Sequence, residues 1–455
     1  MNKKKRKNLL ICTLFVISLL MSDIMAFAGN TETDINSAET NAAETDADTT
    51  EDNAEETSTK WPAGPEVVAE AAIVMETSTG TILYEKNIDE QLYPASITKV
   101  MTALLAVENC EMDEIVTVSH DAVYMEDKGT HIALDEGEEL TVEQCLYAVM
   151  LASANDAAYA LAEHVGGTIE DFIEMMNKKA DELGCENTNF TNPHGLPDEE
   201  HLTTAYDMAL ITREALKYDK FKEISGAEFY EIPASEKQKD QIPMYNHHKM
   251  LRNGDNHYDD AFAGKTGYTI AAQHTLVTCA NEQEMEVVCV ILKTVKTDLY
   301  TDTEKLLTFA KENFRKETIS SQEKNYDKIL VDETLNLSGD SVQINTKMNE
   351  ADEVVLPKDV NFIDLQSELM GFDGTTSENL KSITVGYSYE GHSVGAATLD
   401  VVEVKQLKET KEESDIKSEA KKTFQFQWWY ILIGVFVVAV IAGVVFWVLF
   451  RKQRR

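Results

Sequence analysis

Three short motifs stand in order along the chain: Ser96-Ile97-Thr98-Lys99, Ser153-Ala154-Asn155 and Lys265-Thr266-Gly267. A serine hydroxyl is a weak nucleophile and needs a base within hydrogen-bond reach. Positions three apart share a helix face, so a helix over Ser96 and Lys99 brings the amine beside the hydroxyl. Lysine serves as a base once burial and a nearby cation lower its pKa from about 10.4, and Lys265 is the candidate cation. A helix N-terminus beneath Ser96 adds free N–H groups and a positive dipole that favour an oxyanion. The chemistry these residues spell is acyl transfer through a serine.

The other positions fall into roles within that chemistry. Ser153 is placed to relay a proton to a leaving amine, and the Asn155 amide to hold a substrate oxygen or Lys99. Lys265 and Thr266 on a strand offer a cation and a hydroxyl to a substrate carboxylate. Gly267 leaves room for a substrate to lie along the strand edge, and the backbone N–H of Tyr268 pairs with that of Ser96 as an oxyanion hole. Each motif alone is weak: Ser-x-x-Lys recurs at Ser321, Ser414 and Ser418, and Ser-x-Asn at Ser377. Lys-Thr-Gly occurs once, and the ordered set carries the signal.

Local patterns predict the elements that must position these groups. Glu70 to Glu76 and Thr81 to Glu85 read as a hairpin around Thr79-Gly80. Pro94-Ala95-Ser96 opens a helix running to about Asn109, with Ile97, Val100, Met101, Leu104 and Leu105 on one face. Thr141 and Gln144 read as a capping box for a helix to about Ala152, and a second helix starts at Asp156, so Ser153-Ala154-Asn155 joins two helices. Helices follow from Ile169 to Leu183 and from Thr204 to Tyr218. Strands are expected from Phe262 to Tyr268, Thr275 to Ala280 and Glu286 to Leu292, then a helix from Thr303 to Phe314. Strands at both ends with helices between them predict an α/β (α+β) fold, an antiparallel sheet flanked by helices.

The two ends read as export and anchoring signals. Lys3-Lys4-Lys5-Arg6-Lys7, an apolar run from Leu9 to Met21 and Ala26-Phe27-Ala28 fit a signal peptide over residues 1–28. Trp428 to Phe450 is apolar and long enough to span a bilayer. The basic tail 451–455 after it predicts a cytoplasmic C-terminus, with the catalytic body on the outer face of the cytoplasmic membrane. Between the ends we read an acidic linker over 29–62, a catalytic domain over 63–316, a small β domain over 317–404 and a charged stalk over 405–427. The net charge of −39, from 80 acidic against 41 basic residues, argues against nucleic acid as a partner. Five cysteines remain after export, Cys110, Cys145, Cys185, Cys279 and Cys289, and they read as small, mostly buried thiols with at most one or two disulfides.

With these blocks in hand, the chain resembles the low-molecular-mass penicillin-binding proteins of the serine D-alanyl-D-alanine carboxypeptidase type. Beyond the motifs, the resemblance rests on Leu83-Tyr84-Glu85-Lys86-Asn87, Asn155-Asp156-Ala157, Asn192-Pro193-His194-Gly195-Leu196 and Thr203 to Ala209. It implies a β-lactamase/transpeptidase-like fold and removal of the terminal D-alanine from peptidoglycan stem pentapeptides through an acyl-enzyme, with β-lactam antibiotics acylating the same serine. By motif match Ser96 is the nucleophile, Lys99 the base, Ser153 the relay, Asn155 a substrate and lysine contact, and Lys265 with Thr266 the carboxylate contacts; no metal or cofactor is implied. Two positions depart from the family pattern: Ala154 stands for a usual Gly, and Ala272-Gln273 for a usual Ala-Gly pair. A β-lactamase, whose class A members use an added Glu for deacylation, and a sensor that is acylated without turnover are the alternative readings.

Overall fold

The structure, a computed structural model, describes residues 61–124, 129–235, 237–323, 326, 328–331, 342–373 and 379–406. Strands β1 (Ala71–Glu76) and β2 (Ile82–Lys86) come first, followed by helix α1 (Lys99–Asn109). Then come α2 (Val142–Met150), α3 (Asn155–Gly166), α4 (Ile169–Glu182) and α5 (Ala205–Ala215). Strands β3 (Ala261–Thr269), β4 (Gln273–Glu282) and β5 (Met285–Thr294) and helix α6 (Leu299–Asn313) complete the unit. The sheet is antiparallel, in the order β2-β1-β5-β4-β3, so strands from both ends of the segment meet at its centre, as the sequence predicts.

All six residues of β1 are buried, because both faces of the sheet are covered. Ala71, Ile73 and Met75 pack with α1 to α5, while Ala72 and Val74 pack with Leu306, Leu307 and Phe309 of α6. A strand covered on both sides reads as a continuous apolar run rather than an alternating one. Helix α4 shows the opposite case: only Phe172, Met176 and Ala180, four residues apart, are buried, the narrow stripe of a surface helix. The capping box at Thr141 and Gln144 is formed.

Some boundaries differ from the sequence reading. Phe314 opens a strand rather than ending α6, and a helix at Asp219–Gly226 and hairpins pairing 115–117 with 139–141 and 229–232 with 242–245 had no clear periodicity in so few residues. Ser96 lies in a 3₁₀ turn, Ala95–Thr98, which leads into α1. After α6, a seven-stranded antiparallel sheet runs from Phe314–Thr318 to His392–Gln406, over a core that includes Ile344, Leu356, Ile383, Val385 and Leu399. The cysteines among the described residues are all free, and all but Cys110 are buried. No helix among the described residues is long and apolar enough to cross a membrane; residues 1–28 and 428–455 lie outside the described residues.

Gln273, where β4 begins, has φ +55°. A side chain in that left-handed region costs about 1–2 kcal/mol, against which glycine carries an unfolded-state entropy cost of up to about 1 kcal/mol. Gln273→Gly is therefore expected to stabilise the protein by about 0.5–1 kcal/mol, read as a rise in thermal midpoint; a fall would show that the Gln side chain contributes more than its backbone strain costs.

Candidate active site

Local backbone geometry brings the first motif together. Side chains three apart eclipse in a 3₁₀ turn, and Lys99 Nζ lies 3.2 Å from Ser96 Oγ. Lys99 is fully buried, yet it donates to Asn155 Oδ1 at 2.7 Å and to the carbonyl of His194 at 2.8 Å. Asn155 is the first residue of α3, and its own N–H is fixed on Thr130 O at 2.7 Å. Burial, reinforced by the charge of Lys265 and partly offset by Asp156, holds the Lys99 amine well below its ordinary range. The Asp156 carboxylate is occupied by the N–H groups of Ile132, Leu134 and Ala157. Among the described residues neither Lys99 nor Lys265 forms an ion pair.

The second and third motifs meet across this pair. Ser153, in the connection between α2 and α3, takes φ +59°, a strained conformation of the kind that clusters at functional sites. Its hydroxyl accepts a hydrogen bond from Lys265 Nζ at 3.0 Å, and Lys265 also donates to the Thr266 carbonyl at 2.9 Å. Lys265 is 1% exposed, and burial lowers its amine to about 7. Strand β3 is the free edge of the sheet and packs against the 3₁₀ turn. A Cβ on Gly267 would sit 2.3 Å from Thr275 Oγ1, 3.0 Å from Ser96 N and 3.1 Å from Pro94 O. Only glycine lets the strand lie this close to the serine backbone. Tyr268 follows, its ring exposed and leaning on His274 with centroids 4.6 Å apart. A groove of about 640 Å³ opens here, lined by Ser96, Ser153, Thr266, Gly267 and Tyr268.

The structure thus brings together all eight residues singled out in the sequence: Ser96, Lys99, Ser153, Asn155, Lys265, Thr266, Gly267 and Tyr268. It adds others that the motifs do not contain. Thr191 N donates to His201 Nδ1 at 2.9 Å, which leaves His201 Nε2–H to donate to Thr98 Oγ1 at 2.9 Å. Thr98 Oγ1 in turn donates to Ala95 O at 2.9 Å. This relay braces Ala95, whose φ is +52° immediately before the serine. Burial lowers His201 to about 4, so the imidazole stays neutral and its tautomer fixed. Gly195, at φ +85°, lies where a Cβ would overlap the Ala95 carbonyl. Thr130, His247, Lys249, His274, Lys296 and Tyr300 also line the groove; they come from separate segments, His274 from β4, Tyr300 from α6 and Lys249 from a 3₁₀ turn, and no spacing along the chain announces them.

A half-buried serine beside a fully buried lysine, a second lysine–serine pair and an edge strand beside them have the geometry that acyl transfer through a serine requires. The comparisons with known proteins agree with that class. The sequence model of the D-alanyl-D-alanine carboxypeptidase family matches residues 56–296. The chain belongs to that family. It is 39% identical over 228 residues to D-alanyl-D-alanine carboxypeptidase DacF of Bacillus subtilis, covering 49% of this chain and 57% of the relative. It is 33% identical over 305 residues to D-alanyl-D-alanine carboxypeptidase DacC of Escherichia coli, covering 65% of this chain and 72% of the relative. In fold it is similar to penicillin binding protein 5 from Haemophilus influenzae, with a TM-score of 0.60 at 24% identity over 76% of this chain and 100% of the other.

Proposed function

We propose that the protein is a serine D-Ala-D-Ala carboxypeptidase that removes the terminal D-alanine from peptidoglycan stem pentapeptides through an acyl-enzyme on Ser96. The observation that carries this reading is the set of partners around Lys99. A neutral amine has two N–H bonds and one lone pair. With the two N–H bonds spent on Asn155 Oδ1 and His194 O, the lone pair faces Ser96 Oγ. Lys99 then takes the hydroxyl proton as Ser96 attacks the carbonyl between the two D-alanines. The oxyanion lies against the N–H groups of Ser96 and Tyr268. Ser153, oriented by Lys265, gives its hydroxyl proton to the departing D-alanine amine and recovers one from the Lys99 ammonium, so Lys99 is neutral again, while Lys265 and Thr266 hold the carboxylate. A water activated by Lys99 then cleaves the ester.

β-Lactam antibiotics, which mimic the scissile amide, acylate the same serine in this reading. Among the described residues no carboxylate lines the groove, and Glu182 is paired with Lys178 and Lys179 on α4, so neither observation supports a lactamase-type deacylating Glu. The sequence patterns at the two ends support export through residues 1–28 and anchoring by 428–450. On that reading the linker 29–62, the catalytic domain 63–316, the β domain 317–404 and the stalk 405–427 lie outside the cell.

The acyl-enzyme is testable by mass. The full chain incubated with penicillin should gain one adduct, found after proteolysis on the peptide that contains Ser96 and missing from Ser96→Ala. An adduct mapped to Ser153 or to no serine would sink the assignment. Gly267→Ala is expected to slow adduct formation about 100-fold, because the new methyl pushes the strand from the serine and misplacement of about 1 Å costs that much. Unchanged kinetics in this variant would argue that the substrate does not use the edge of β3.

A further inference from the structure

Away from the groove, the C-terminal ends of α1 and α3 converge on a second chemical cluster. Cys110 is the residue on which α1 ends, Glu114 stands in the turn that follows, and His164 lies in the last turn of α3. One thiol, one carboxylate and one imidazole atom from these residues all lie within 4.8 Å of one another. His164 Nε2 is 3.1 Å from Glu114 Oε2. The other carboxylate oxygen, Oε1, accepts from the Glu111 N–H at 2.6 Å. The carboxylate is thus oriented through one oxygen and offers the second, the way outer partners fix metal ligands. Cys110 is partly exposed, whereas the other four described cysteines are buried.

We infer that Cys110, Glu114 and His164 form a binding site for a zinc-like divalent cation, with water completing a tetrahedral shell. Sulfur, nitrogen and oxygen donors in a set of three suit zinc, with bonds of roughly 2.3, 2.0 and 2.1 Å. Bonds of that length set tetrahedral ligands about 3.3–3.6 Å apart, so the cluster closes by about 1 Å through side-chain rotation. Magnesium and calcium seek oxygen and do not fit a thiol and an imidazole. Both helices end here, and the partial negative charge of a helix C-terminus favours a cation. On binding, the thiol proton leaves to solvent, the sulfur forms the metal bond, and no electron changes hands. The inference stands apart from the hydrolase reading, yet it touches the same frame: α1 carries Lys99 and α3 carries Asn155 at their opposite ends. A cation here ties together the two helices whose N-termini hold the reactive pair.

Cadmium is a direct probe, because its bond to a thiolate absorbs in the ultraviolet. The full chain in detergent, titrated with Cd²⁺, is expected to develop that band with one equivalent bound, and to lose it in Cys110→Ser. His164→Ala and Glu114→Gln, both partly exposed positions that leave the core intact, are expected to weaken binding roughly 10–100-fold. Zn²⁺ should raise the thermal midpoint of the native chain and leave that of Cys110→Ser unmoved. No thiolate band in the native chain, or an undiminished band in Cys110→Ser, overturns the site.

Discussion

Lys99→Met lowers the rate of Ser96 acylation by about 10⁴-fold, the upper end of what a positioned general base contributes. Methionine fills nearly the same volume and has no lone pair of useful basicity. The folded state should survive the change. Removing a fully buried amine relieves a desolvation cost, while Asn155 Oδ1 and His194 O each lose a donor at about 1–3 kcal/mol. These effects oppose one another, so the thermal midpoint is expected to move little while penicillin adduct formation, followed by mass against time, all but stops. Lys99→Arg should not rescue it, since a guanidinium stays protonated. Adduct formation within tenfold of the native rate would mean that another group takes the Ser96 proton.

Lys265→Met separates activity from stability in opposite directions. Between about pH 7, where the folded amine titrates, and about 10.5, where the unfolded one does, the folded state binds fewer protons than the unfolded state. Stability then rises with pH across that window, and the burial cost is fully present below about 7. At pH 7 the cost is about 4 kcal/mol, against about 1–1.5 kcal/mol for each of the hydrogen bonds to Ser153 and Thr266 that the variant loses. Burial wins, so the variant is expected to be more stable by about 1–2 kcal/mol at pH 7 and to lose that advantage toward pH 10. Its activity should fall about 10²–10³-fold, chiefly through KM, since a charged contact to a carboxylate is worth about 1.5–3 kcal/mol and the relay through Ser153 is lost with it. The native enzyme should show the matching signature: kcat/KM for a substrate with a free carboxylate declines as pH rises through about 7, because Lys265 loses its charge. A KM indifferent to both the substitution and the pH would remove Lys265 from carboxylate binding.

The parts of this site that sequence made legible are those whose chemistry is local. Ser96 and Lys99 are three residues apart, so one turn of backbone decides their distance; only the turn type, 3₁₀ rather than α, had to come from the structure. That strands from both ends of the segment share one antiparallel sheet followed from where the apolar runs fall, whereas their order in it had to come from the structure. Lys265 could be matched to a strand but not to Ser153, because that contact spans 112 residues and depends on how α2 and α3 meet the sheet edge. The His201 relay was illegible for the same reason: its partners Thr98 and Ala95 lie about a hundred residues away, and nothing in the spacing couples them. Gln273 and Ala154 were visible as departures from the family pattern, yet only backbone angles show that the first stores strain while the second, at φ −65°, does not.

The central claim is turnover of a D-alanyl peptide by Ser96, and free D-alanine measures it most directly. The full chain in detergent, given a stem pentapeptide ending in D-Ala-D-Ala, should release one D-alanine per peptide over many turnovers, and Ser96→Ala should release none above the uncatalysed background. Release that persists in Ser96→Ala, or a native chain that takes up penicillin on Ser96 yet frees no D-alanine, would contradict the account; the second outcome would make the protein a sensor rather than a peptidase.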